Sequence, residues 1–188
     1  STDLLNHFTD ILNIMEDPKW TAYYLSANYR NATNILDIAK TIIMQANDIM
    51  DKNVYATRLE TGEVTVDTRS NLGNYLSKIK KDKNYKDWFI LVRVNKDIYE
   101  ISQKLEEFDI PYITFKQGGT SNEELDSLME ENTVKILTVH TSKGLENKNV
   151  ILYGNFPIKQ KPYCRNSDER KIMYVGCTRA MDKLIILN

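Results

Sequence analysis

Four stretches of this chain are apolar almost without a break: WFILVRV at 88–94, VKILTV at 134–139, NVILYG at 149–154 and KLIIL at 183–187. A strand with one face in water alternates polar and apolar residues; a continuous run is buried on both faces. Such strands belong to a parallel sheet with helices on each side. The intervening segments supply those helices. Residues 31–50 carry Ile35, Leu36, Ile38, Ala39, Ile42, Ile43 and Ala46 at helical spacing, with Asn31 or Thr33 as the expected cap. Residues 71–83, 96–108 and 168–181 are expected to be helical, as are residues 4–15. Shorter strands are expected at 20–26, 64–67 and 111–115, whereas 116–132 is polar, with Gly118-Gly119 and an acidic end. Strands and helices in alternation define a single three-layer α/β domain over 1–188, with a mostly parallel sheet and no repeat or linker. Its functional loops are expected beyond the carboxyl ends of the strands.

Bulk composition narrows function little. Lys plus Arg number 25 against 26 acids, so any nucleic-acid contact must come from a local surface. Cys164 and Cys177 lie thirteen apart and the histidines are His7 and His140, which gives neither a zinc site nor a disulfide framework. A reducing cytoplasmic setting is the expectation, with no membrane span and no metal held by the chain. The chain opens on Ser1 rather than Met, which leads us to expect an excised or processed fragment.

Three loops concentrate donors. Asn28-Tyr29-Arg30 joins a strand to a helix and offers a ring for stacking beside a five-donor guanidinium suited to phosphate. Alternatively, Tyr29 is a core edge and Arg30 a solvated charge. Residues 138–146 gather Thr138, His140, Thr141, Ser142 and Lys143 at a strand end, before Gly144 and Glu146. They suit a phosphodiester backbone, or else form a hydroxyl-rich turn in which His140 is a satisfied core residue. Arg179 sits near a helix end, just before a strand, with small neighbours Gly176 and Ala180. It could reach a transferring phosphoryl group, or simply complement the helix dipole.

Together these loops resemble motifs IV (28–30), V (138–146) and VI (169–180) of the UvrD/Rep/PcrA-like superfamily 1 DNA helicases. WFILVRVN at 88–95 is similar to the intermediate motif IVa. The resemblance implies a second RecA-like motor domain, P-loop NTPase-like in fold but lacking its own P-loop. By position, Tyr29 would stack on adenine, Arg30 and Arg179 would reach the γ-phosphate as catalytic arginines, and Gly144 and Glu146 would lie at the ribose. Arg93, Asn95, Thr138 and His140 would line a single-stranded DNA groove, with Ser142 and Lys143 shaping the loop beside it. Val92 departs from the family's usual Tyr, which puts one DNA contact in doubt. The span from Phe115 to Val134 is too short for the accessory domain that larger relatives insert.

No Gly-Lys dipeptide occurs in the sequence, so it contains no G-x-x-x-x-G-K-[ST] phosphate loop, and no apolar strand ends in Asp-Glu. The expected partners are therefore single-stranded DNA and an N-terminal motor domain that holds Mg2+ and the phosphates of ATP. Alone, the fragment is expected to be monomeric and without ATPase activity. Two other readings are a motor with an attached nuclease and a stand-alone non-catalytic binding module.

Overall fold

The computed structural model describes residues 26–46, 54–115, 122–156 and 166–188. The helix expected at 4–15 and nearly all of the strand expected at 20–26 lie outside them. Two short strands, β1 (Ala27–Asn28) and β2 (Tyr55–Ala56), pair in parallel apart from the main sheet. The main sheet holds β3 (Glu63–Asp67), β4 (Trp88–Val92), β5 (Tyr112–Thr114), β6 (Val134–Thr138), β7 (Asn147–Tyr153) and β8 (Ala180–Leu187). Its order is β3-β8-β7-β4-β6-β5, and every pairing is parallel.

The apolar runs behave as their composition requires. Phe89 and Leu91 of β4 join Leu137, Val150, Leu152 and Leu184 on one face, under α1 (Thr33–Ile43) and α5 (Asn166–Cys177). The alternate residues Trp88, Ile90 and Val92 join Ile136, Ile151 and Ile185 on the other face, under α2 (Leu72–Asp82) and α3 (Asn95–Glu107). Each such side chain contributes about 1.5–3 kcal/mol by leaving water. Lys135 is fully buried within β6, and its ammonium escapes by donating to the Glu131 carbonyl at 2.5 Å. Burial lowers its pKa.

Three boundaries differ from the sequence reading. α1 starts without a side-chain cap and ends at Ile43, not near residue 50. Its two expected caps are used elsewhere: Asn31 reaches the chain before β8, and the Thr33 hydroxyl donates to the Arg58 carbonyl at 2.9 Å. Within the polar stretch 116–132 lies α4 (Asn122–Glu130), which docks Leu128 and Met129 onto the core. Finally, α5 stops at Cys177 and β8 begins at Ala180, because Asn147 of β7 pairs with Ala180.

Gly176 sets how closely α5 approaches the sheet. A Cβ there would stand 2.7 Å from Leu152 Cδ1 and 3.4 Å from Val139 Cγ2. Gly176→Ala is therefore expected to destabilise the chain by about 1–3 kcal/mol, the usual scale of overpacking, read as a lowered urea midpoint. An unchanged midpoint would show that α5 can slide outward freely.

Candidate functional site

The connection from β6 to β7 organises the site. Thr138 is level with Val92, and Val92 with Tyr153, whereas Asn147 lies at the opposite end of β7. Residues 139–146 must therefore return across the sheet from its carboxyl edge to its amino edge, with β4 lying between the two strands they join. They run on the α5 face: Val139 is core, and the backbone turns through Ser142 N–H to Thr138 O (3.1 Å) and Leu145 N–H to Ser142 O (3.0 Å). Ser142 is fully buried, and its hydroxyl donates to the Val139 carbonyl at 2.8 Å. It braces the loop from inside and offers no surface to a strand. Gly144 adopts φ +86°, and a Cβ there would meet nothing within 4 Å. The turn, rather than a close neighbour, accounts for the glycine.

At the amino edge this loop meets Arg179 and the β1–α1 turn. Glu146 and Arg30 form an ion pair. Arg179 follows α5 and is held entirely by neutral acceptors: Nε donates to Val175 O (3.1 Å), Nη1 to Leu145 O (3.1 Å) and Nη2 to the Thr178 hydroxyl (3.2 Å). Burial pulls the Arg179 pKa down, the charge of Arg30 adds to this, and Glu146 opposes it. Glu146 is thus paired with Arg30 and acts on Arg179 through its charge alone. Tyr29 stands beside them with its ring 77% exposed. Sequence reasoning expected these loops beyond the carboxyl ends of the strands; instead Arg30, Glu146 and Arg179 gather at the other edge. The reason is local: Arg179 and Glu146 each precede a strand rather than follow one.

At the carboxyl edge stand Arg93, Asn95, Thr138 and His140, with Asn95 and His140 exposed; Lys143, also exposed, lies partway along the crossing loop. The Thr138 and Thr141 hydroxyls are 2.9 Å apart. A cavity of about 750 Å³ opens here, with Asn95, Tyr99, Gln103, Tyr112, Thr138 and Thr141 in its lining. Arg93 is engaged by Glu169 of α5, its Nε and Nη2 donating to the two carboxylate oxygens at 2.6 and 2.5 Å. The pairing holds the Glu169 pKa below its ordinary value, helped by the nearby His140.

Asn31, Arg58 and Glu169 are the residues that the sequence reading gave no role at these edges. Asn31 is fully buried and donates to Thr178 O (3.1 Å) and Ala180 O (2.6 Å), the carbonyls on either side of Arg179. Asn28 accepts the backbone N–H groups of Arg30 (3.0 Å) and Asn31 (2.9 Å), which closes the turn that presents Tyr29. Arg58 ties Arg30 O (2.9 Å) to Met181 O (3.2 Å) and pairs with Asp182. Asparagines next to the Tyr-Arg pair were the one available signal for the first of these. Among the described residues no group of three His, Cys, Asp or Glu could hold a metal ion, and no helix is long and apolar enough to cross a membrane.

A parallel three-layer sheet with basic residues at both edges defines a RecA-like α/β domain. The chain belongs to the UvrD-like helicase C-terminal domain family, whose model matches residues 23–120 and 119–188. It is 28% identical over 196 residues to a probable DNA helicase II homolog of Mycoplasma capricolum, covering 97% of this chain and 23% of that protein. It is 32% identical over 148 residues to the ATP-dependent DNA helicase PcrA of Staphylococcus aureus, covering 74% of this chain and 18% of the relative. The chain thus spans less than a quarter of the curated relatives it matches. The fold is also that of the C-terminal domain of a possible DNA helicase from Lactobacillus plantarum, with TM-score 0.55 and 18% identity over 85% of this chain and 86% of the other.

Proposed function

We propose that this chain is the second motor domain of an ATP-driven helicase that moves along single-stranded DNA. The carrying observation is the 139–146 connection, which begins among strand-edge donors and ends against the paired arginines. Among the described residues Arg179 is held by neutral acceptors and by no carboxylate, which suits an anion arriving from outside. ATP held by an N-terminal motor domain would present that anion: Tyr29 stacks on the base, Glu146 meets the ribose near Gly144, and Arg30 and Arg179 take the γ-phosphate. Mg2+ would stay with the other domain, since the described residues offer it no cluster of ligands. A positioned arginine stabilises the charge that spreads over the transferring phosphoryl group.

At the carboxyl edge, Arg93, Asn95, Thr138 and His140 would hold the strand, with Lys143 on the crossing loop beside it, and the cavity with Tyr99 and Tyr112 lies within reach of its bases. The Cys177 thiol is buried, and burial pushes its pKa up to about 12, so it plays no nucleophilic part. Fluorescence anisotropy with a labelled oligo-dT tests the strand reading. The wild-type chain should bind with a salt-dependent Kd, and the Thr138→Ala/His140→Ala double variant about tenfold more weakly. Equal binding by the two would mean that the strand does not cross this edge.

A further inference from the structure

Arg93 follows β4 at the strand edge, yet its guanidinium is already filled. The Nε–Nη2 fork donates to both oxygens of Glu169, and the two side chains are only 25% and 29% exposed. The stem has little freedom. Gly154 sits behind it at φ +150°, and a Cβ there would come within 2.9 Å of Arg93 Cβ. An acidic side chain therefore sits on a residue assigned to the strand, where it would repel a phosphate. A carboxylate and a phosphodiester also offer the same pair of acceptor oxygens to an arginine fork.

We infer that Glu169 occupies on Arg93 the place of a backbone phosphate, and that an incoming single strand displaces it. This rests on the strand-binding reading above and adds a residue to it: Glu169 is a positioning residue that keeps Arg93 formed and in competition until DNA arrives. It also gives the strand a handle on the other edge. Glu169 lies in the first turn of α5, and Arg179 follows the end of the same helix, ten residues or about 15 Å along its axis.

The test is oligo-dT binding by the full chain as a function of salt, in a cycle of Glu169→Gln and Arg93→Ala. Glu169→Gln should tighten binding about threefold, the scale of one partly exposed ion pair. The slope of log K against log salt should stay close to wild type, because Arg93 meets a phosphate in both complexes. In the Arg93→Ala background the same substitution should give no gain. A gain that persists without Arg93 would mark plain charge removal and overturn the inference. So would unchanged or weaker binding by Glu169→Gln while wild type binds, since a carboxylate that merely orients Arg93 would behave that way. If no variant binds the oligomer, the strand reading itself fails and this inference with it. Should Glu169→Gln not fold, the wild-type Arg93 Nε–H resonance decides: it should shift on adding oligo-dT, and a resonance that stays in place overturns the exchange.

Discussion

In the complete motor, Arg179→Ala should lower DNA-stimulated ATP turnover by about 10³-fold or more while leaving strand affinity close to wild type. The expectation follows from how the residue is held. Its guanidinium is anchored by the Leu145 and Val175 carbonyls and the Thr178 hydroxyl, so its position is fixed before any phosphate appears. None of these partners carries a charge, so its own charge stays available to an anion. Arg179→Lys should recover little, because an ammonium cannot reproduce the three-point anchoring. Steady-state ATPase and anisotropy on the same preparations measure both quantities. Loss of both to the same degree would argue that Arg179 holds the fold together rather than acting on phosphate.

The largest stability effect among the site residues is expected at Asn31. Asn31→Ala removes the buried amide that satisfies Thr178 O and Ala180 O and leaves both carbonyls without that donor. A buried polar group stripped of its partner costs about 1–3 kcal/mol, so about 3 kcal/mol is expected for the pair, seen as a lowered urea midpoint. Because those carbonyls flank Arg179, turnover in the complete motor should fall as well, even at temperatures where the variant remains folded. A variant that is destabilised yet fully active would separate the amide from the arginine's placement.

The sheet was legible because its evidence is redundant. WFILVRV, VKILTV and NVILYG are each too apolar for anything but a doubly covered strand, and all three take central places. What failed to show was tertiary in origin. Asn31 and Thr33 read as helix caps, since nothing in one sequence says that their side chains will be drawn to residues about 147 and 25 positions away. α4 was missed because Leu125, Leu128 and Met129 form a short apolar stripe in an acidic segment. For the site, residue types pointed to loops that the structure gathers at two edges, one of them not the edge expected. Chain order decides that: Glu146 precedes the strand expected at 149–154 and Arg179 the one expected at 183–187, so both belong to amino ends. Glu169 went unassigned because its partner Arg93 is 76 residues distant.

The crossing between β6 and β7 is made by a short segment that spends part of its length in turns. Asn147 lies six residues below the level of Thr138 and two strands across. That is about 20 Å along the sheet and about 10 Å sideways. Nine residue steps span at most about 30 Å when fully stretched, and several of these are coiled into turns. Chain length is therefore rationed unevenly over the molecule. New sequence can enter after β5, a border strand with a neighbour on one side only. Between Thr138 and Asn147 there is no such licence: one added residue would cut the mechanical link between the edges while leaving every side chain of both in place.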